Sequence, residues 1–264
     1  MRVVDLDRDM RDVIPTGATR DSEFLFARMT ERTLAATRAG PGLRVLDVAS
    51  GAGQDAAALA ARGAFAVAVE PSARMVGLAR IVSERDGGPR AHGVRGWGDA
   101  LPFASASFDA VFCKGALDHF DAPEAAIGEM ARVTRRDGRV VLAIANFESL
   151  ACRVARAGDQ LEEEWLGRAP RPGRRHYDVP HDHFTRYDPA LMREQAEAHL
   201  SLELVEGVSL AWGLPGWSRA LARLPQGVAD LALRGLDQLA ARWPAAADVL
   251  VLAGRPRRAA SSSA

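Results

Sequence analysis

The first 146 residues alternate short apolar runs with longer segments of helical periodicity. Residues 44–49 form an apolar run between turn-forming residues, which is typical of a strand buried on both faces. Gly51 and Gly53 then lead into an alanine-rich segment that predicts a helix over 54–62. Repeated alternation of this kind predicts a parallel sheet with helices on both faces. The other predicted strands are 65–69, 91–96, 108–113 and 140–145; the other predicted helices are 22–38, 72–83 and 123–133, and a turn is predicted at 137–138.

The alternation is less regular after residue 146. Residues 166–187 are dense in Arg, Pro, Gly and His, which indicates a long loop, and residues 259–264 indicate a disordered tail. The predicted helices are 148–161, 188–199 and 217–242, and the predicted strands are 202–206 and 248–253. We expect a single domain over 1–258, with a core of 42–146, 201–208 and 248–254 and lid segments at 1–38, 148–200 and 209–247.

Charge and composition argue against several classes of protein. The chain has 34 basic and 34 acidic residues, and this zero net charge argues against a broad nucleic-acid surface. It has no apolar run of about 18 residues, so we expect no membrane span, and its charged N-terminal sequence argues against a signal peptide. Cys113 and Cys152 are too few for a disulfide framework or a four-thiolate zinc site. These features predict a cytoplasmic protein.

The glycine loop after the first strand is open to two interpretations. Residues 51–56, GAGQDA, fit the dinucleotide fingerprint G-x-G-x-x-A, and Glu70 lies at nearly the distance expected for a ribose-binding acid. Asp47, four residues before Gly51, favours another ligand, because a carboxylate there repels a pyrophosphate and attracts an ammonium or sulfonium group. S-adenosylmethionine (SAM) carries both cations and no phosphate.

Five blocks, in order, resemble the motifs of class I SAM-dependent methyltransferases of the small-molecule type, similar to methyltransferase domain 11. The resemblance covers about residues 42–146 and departs from the family pattern at Ala49, which replaces a glycine, and at 136–138, which replace Pro-Gly-Gly. It implies an α/β, Rossmann-like, doubly wound sheet of seven strands in the order 3-2-1-4-5-7-6, with the last strand antiparallel and helical lid insertions. The blocks are 45–53, 69–79, 98–103, 108–120 and 129–140.

The resemblance also implies which residues bind the cofactor. Asp47 and the backbone of the glycine loop would hold the methionine end of SAM, and Glu70 would accept hydrogen bonds from both ribose hydroxyls. Taken alone, Glu70 or Asp99 is better explained as a helix cap or a solvated charge. The remaining members of this part of the site are Ala49, Ser50, Gly51, Gly53 and Pro71.

The adenine end of SAM is assigned in the same way. Asp99 would accept from the adenine amino group and the Ala100 amide would donate to a ring nitrogen, while Met75 and Leu101 would sandwich the ring. Lys114, just past the fourth strand, would contribute its backbone carbonyl rather than its ammonium.

His119 is the predicted general base, because it follows the fourth strand at the sheet edge where ligands of this fold bind. Removing a proton from a hydroxyl acceptor suits the imidazole pKa. The alternative is a structural histidine that hydrogen-bonds the backbone. His183 is the reserve candidate, on the segment expected to cover the acceptor. No metal is predicted, because the spacing of His176, His181 and His183 matches no strong metal template.

These observations predict a SAM-dependent methyltransferase that methylates oxygen or nitrogen of a small molecule in secondary, natural-product metabolism. We expect a small-molecule acceptor as the partner, no nucleic acid or membrane, and a monomer or homodimer. Two alternatives stay open: an NAD-dependent oxidoreductase, and a SAM-binding protein without methyl-transfer activity.

Overall fold

The computed structural model describes residues 19–85, 91–169, 175, 177–178 and 184–257. The strands are β1 Arg44–Val48, β2 Phe65–Glu70, β3 His92–Arg95, β4 Phe108–Lys114, β5 Thr134–Ala145, β6 Leu200–Val208 and β7 Val249–Pro256. The helices are α1 Arg20–Thr37, α2 Gln54–Ala61, α3 Ala73–Arg85, α4 Pro123–Val133, α5 Leu150–Gln160, α6 Pro189–His199, α7 Trp217–Arg223 and α8 Gln226–Arg242. Short 3-10 turns occupy Leu117–His119 and Pro244–Ala246, and a π-helical turn occupies Leu161–Trp165.

The seven strands form one sheet in the order β3-β2-β1-β4-β5-β7-β6, as the sequence predicted. The strands from β1 to β5 pair in parallel, and β7 runs antiparallel to both β5 and β6. The first residue of β7, Val249, therefore pairs with Ala145 at the end of β5. Since parallel strands end at one edge, the loops after β1, β2, β4 and β5 meet along the carboxyl edge of the sheet.

Alternate side chains of each strand point to opposite faces, and each face carries its own helices. On one face Leu25 and Met29 of α1 pack in a buried cluster with Phe112 of β4. On the other face Met130 of α4 and Met192 of α6 pack in a second cluster. Helices α1 and α6 therefore belong to the layers that cover the sheet. They do not form part of the lid that was expected from 1–38 and 148–200. None of the helices within the described residues is long and apolar enough to span a membrane.

The turn predicted at 137–138 is wrong, because β5 runs unbroken through these residues. Its pairing with β4 shifts there, since Phe108 faces Thr134 whereas Ala110 faces Arg139. The intervening residues of β5 bulge past Asp109, whose carboxylate contacts Arg135. A Cβ on Gly138 would lie 2.7 Å from the Asp109 carbonyl oxygen, so only glycine fits at this point of the bulge.

The helix predicted over 217–242 is divided in two. Leu224 leaves the helical conformation with φ −83° and ψ 147°, and Pro225 stands before the first residue of α8. Proline has no N–H to donate and disfavours a helical residue before it, so α7 ends here.

Asp248, at the start of β7, is a buried acid that should make stability depend on pH. The carboxyl is 3% exposed and accepts a hydrogen bond from the Trp212 amide at 3.0 Å. Burial raises the pKa of Asp248 to about 7; hydrogen bonds from Trp212, Ser209 and Ser149 oppose this rise and the Asp21 carboxylate adds to it.

Asp248→Asn should therefore raise the free energy of unfolding above that of the wild type, by about 1–3 kcal/mol more at pH 8 than at pH 5. Each pKa unit corresponds to roughly 1.4 kcal/mol. The pKa of Asp248 in the folded protein lies above the unfolded value near 3.9, so the protonated carboxyl stabilises the wild type at low pH. This stabilisation is lost as the pH rises from about 4 to about 7. Urea unfolding of both proteins at four pH values measures the difference. Parallel stability curves would show that Asp248 is ionised throughout this range.

Candidate functional site

The loop after β1 turns sharply along the carboxyl edge. Three of its residues have a left-handed backbone: Ala49 with φ 57°, Gly51 with φ 53° and Gly53 with φ 72°. The Ser50 amide donates to the Val69 carbonyl at 3.1 Å, which ties the loop to the end of β2. Ala49 holds a conformation that costs an L-residue roughly 1–2 kcal/mol, so the glycine of the family pattern would relieve strain here.

Glu70 ends β2 and connects the glycine loop to the turn before α3. Its carboxylate is 9% exposed and accepts hydrogen bonds from the Gly51 amide at 2.9 Å and the Ser72 amide at 3.1 Å. A carboxylate has roughly four acceptor sites, which makes Glu70 a suitable acceptor for ligand hydroxyls. Beside it, the Pro71 carbonyl accepts from Arg95, and the Met75 amide donates to the Ser72 hydroxyl at 3.2 Å.

The Asp47 side chain lies beside the first turn of α2. It is 4% exposed, and its carboxylate accepts a hydrogen bond from the Ala56 amide. Burial is the largest cause that raises the pKa of Asp47, followed by the Asp55 carboxylate, whereas the Lys114 ammonium lowers it. A cationic ligand bound at this edge would favour the ionised form of Asp47 and so lower its pKa.

The segment assigned to adenine is folded into a tight turn. The Ala100 amide donates to the Trp97 carbonyl at 3.2 Å, and the Leu101 amide donates to Glu129 at 2.9 Å. Leu101 is 5% exposed and belongs to the apolar core of the α4 face. The Ala100 and Leu101 amides thus have partners within the protein, and Asp99 lies at the tip of the turn.

Lys114 is held by its ammonium. The Nζ atom lies 2.6 Å from Asp55 Oδ2 of α2 and 2.6 Å from Thr30 Oγ1 of α1. From the sequence, only the Lys114 carbonyl was assigned to the cofactor, and neither partner of its ammonium was predicted. Thr30 is distant in sequence and gives no local signal, whereas the unusual presence of a lysine was the one available clue.

His119 lies in the 3-10 turn that follows β4, with its side chain 33% exposed at the carboxyl edge. The distance from His119 Nε2 to Asp118 Oδ1 is 3.9 Å, which is too long for a hydrogen bond. The Asp118 carbonyl accepts from the Phe184 amide at 2.6 Å, so the segment after β5 is joined to the turn that carries His119.

His183, the reserve base, lies outside the described residues, as do His176 and His181. Within the residues that are described, no group of three or more His, Cys, Asp or Glu side chains could hold a metal ion. The described part of the site is thus a set of carboxylates, a left-handed loop and one partly exposed imidazole along a single sheet edge.

Residues 46–142 match the family described as the methyltransferase domain. The demethylmenaquinone methyltransferase of Mycobacterium sp. (strain KMS) is 40% identical over 143 residues, which cover 54% of this chain and 57% of that protein. The chain spans a little over half the length of the curated relatives it matches. For this central part, the match confirms the family that the motifs indicated.

Two solved structures share the fold. The magnesium protoporphyrin IX methyltransferase of Synechocystis PCC 6803 with bound SAH has a TM-score of 0.62 at 17% identity, covering 96% of this chain and 94% of that one. The [4+2]-cyclase SpnF has a TM-score of 0.57 at 21% identity, covering 88% and 81%. At such identities the likeness confirms the Rossmann-like fold alone.

Proposed function

Because residues 46–142 match the methyltransferase domain family, we propose that this protein transfers a methyl group from SAM to a small-molecule acceptor. The observation that carries the proposal is the placement of Asp47 and Glu70 on either side of the left-handed loop. Asp47 is the penultimate residue of β1, and Glu70 holds the loop through the Gly51 amide. The proposed site also includes Ala49, Ser50, Gly53, Pro71, Met75, Asp99, Ala100, Leu101 and Lys114.

The charges of these residues fit SAM better than a dinucleotide. When bound, SAM supplies a methyl group on a sulfonium, which is already activated for transfer. Asp47 would attract the cationic methionine end, whereas a pyrophosphate so close to its carboxylate would be repelled. Glu70 would accept hydrogen bonds from the ribose hydroxyls. This charge pattern disfavours the NAD-dependent alternative.

For a hydroxyl acceptor, the chain must also remove a proton, and His119 is the proposed base. Its side chain is partly exposed at the edge where the acceptor would approach. The Phe184 backbone, joined to Asp118, brings the segment after β5 over the same turn, where it would exclude water. His183 immediately precedes Phe184 in the sequence and stays the reserve candidate.

The acceptor is proposed to be a small molecule with a hydroxyl or amine nucleophile. Because several relatives are named demethylmenaquinone methyltransferases, demethylated quinones belong in the set of acceptors to be tested. Location in the cytoplasm, a role in secondary metabolism and a monomeric or homodimeric state are part of the same proposal.

Incubation with SAM and a panel of phenols, amines and demethylated quinones tests this function. We expect acceptor-dependent formation of S-adenosylhomocysteine, measured by chromatography, and a product heavier by one methylene group. A protein that binds SAM but forms no S-adenosylhomocysteine with any acceptor would instead be a SAM-binding protein used for another purpose. The fold shared with a cyclase makes that outcome worth measuring.

A further inference from the structure

Lys114 is the only lysine of the chain, although the chain has 34 basic residues. It ends β4, and its ammonium contacts Asp55 of α2 and Thr30 of α1, both at 2.6 Å. A compact ammonium can meet two oxygens in a narrow space more easily than a planar guanidinium. The residue thus joins α1 and α2, two helices that pack on one face of the sheet, beside the cofactor loop.

The charge on Asp47 depends on its neighbours. The Asp55 carboxylate disfavours the ionised form of Asp47, because like charges repel. The Lys114 ammonium opposes this effect, and the pKa of Asp47 responds to both groups in the expected directions. The titratable groups that face Asp47 are Asp55 on α2, Lys114 and Cys113 on β4, and Glu70 on β2; from α1 the Thr30 hydroxyl meets Lys114.

We propose that Lys114 is a positioning residue of the cofactor site, whose ammonium neutralises Asp55 so that Asp47 stays ionised to meet the positive end of the cofactor. The inference rests on the proposed SAM function. In this arrangement Lys114 acts through Asp55 and Asp47 and has no need to contact the cofactor. Its role is therefore visible in the pH dependence of binding.

Lys114→Met should weaken SAM binding at least tenfold at pH 7, and the loss should shrink as the pH rises. Only ionised Asp47 attracts the cofactor, so below the pKa of Asp47 the Kd increases on the order of tenfold per pH unit. Removing the ammonium raises that pKa and moves the midpoint of the binding profile to higher pH. Isothermal titration between pH 5 and pH 8.5 measures the midpoint, and Lys114→Arg, which keeps the charge but not the compact shape, should move it only part of the way.

Asp55→Asn should move the midpoint in the opposite direction, because Asp47 then keeps the ammonium and loses the repulsive carboxylate. The double variant Lys114→Met/Asp55→Asn should return close to the wild-type midpoint. Arg193→Met is the matched control, since Arg193 is an ion-paired cation on α6 that lies 2.8 Å from Glu197 and outside the site. It should leave the profile unchanged.

Three results separate the hypotheses. If the wild type does not bind SAM at any pH, the proposed function fails. If the wild type binds and Lys114→Met weakens binding by one factor at every pH, without a shift of the midpoint, the positioning role is wrong. Should Lys114→Met not fold, Asp55→Asn decides alone, because a midpoint that does not move to lower pH overturns the inference.

Discussion

Replacing His119 by alanine should lower the turnover number for a hydroxyl acceptor by about 100- to 10,000-fold, the usual range for loss of a general base. The affinity for SAM should stay nearly unchanged, because His119, in the turn after β4, is not among the residues assigned to the cofactor. Steady-state rates of S-adenosylhomocysteine formation give the turnover number, and isothermal titration gives the SAM affinity of the same preparation.

His199→Ala is the matched control for this experiment. Its imidazole is 33% exposed, as is that of His119, but it ends α6, whose helix packs on the sheet face. Turnover should be unaffected by this change. With a neutral amine acceptor no base is required, and His119→Ala should then act mainly on the acceptor KM. A hydroxyl acceptor methylated at the normal rate by the double variant His119→Ala/His183→Ala would mean catalysis by alignment alone.

Glu70→Ala should weaken SAM binding by about 1.5–3 kcal/mol, because a charged acceptor of hydrogen bonds is removed. The structure adds a second cause, since the Gly51 amide loses its 2.9 Å partner and the loop loses a restraint. Asp47→Ala should weaken binding at least as much, because the cationic end of the cofactor loses its counter-charge. Isothermal titration of each variant measures the change, and thermal unfolding verifies that the fold is kept.

Glu70→Gln and Glu124→Ala complete this series. The amide of Glu70→Gln keeps one acceptor oxygen and the size of the side chain, so its affinity should lie between those of the wild type and Glu70→Ala. Glu124 is a 61% exposed carboxylate at the start of α4, and its removal should have no effect. Unchanged affinity in a folded Glu70→Ala or Asp47→Ala protein would remove the proposed site.

The sheet was predictable because each strand is marked by residues within it or next to it in the sequence. Apolar runs bounded by turn residues marked β1, β2 and β4 to within one residue, and Pro123 at the first helical position marked the start of α4. The strand order came from the family resemblance rather than from periodicity. The β5 bulge was missed, because an Asp-Gly pair is typical of a turn when only its neighbours in sequence are considered. In the folded protein, pairing with β4 and the contact with Asp109 keep these residues in a strand.

The cofactor site was predictable only in part, because some of its contacts join residues that are far apart in the sequence. Asp47, Glu70 and the glycine loop follow from strand ends that are visible in the sequence. The Lys114 ion pair depends on Thr30 and Asp55, which come from two other elements of the chain. Likewise, the hydrogen bond from the Ala100 amide to Trp97 is a property of the folded turn, which the motif does not encode.

Titration of the wild-type protein with SAM and, separately, with NAD distinguishes the two ligands that the glycine loop could hold. We expect saturable binding of one SAM per chain, an affinity that falls in Asp47→Ala, and no binding of NAD at the same concentrations. Binding of NAD without binding of SAM would contradict this expectation and assign the glycine loop to a dinucleotide.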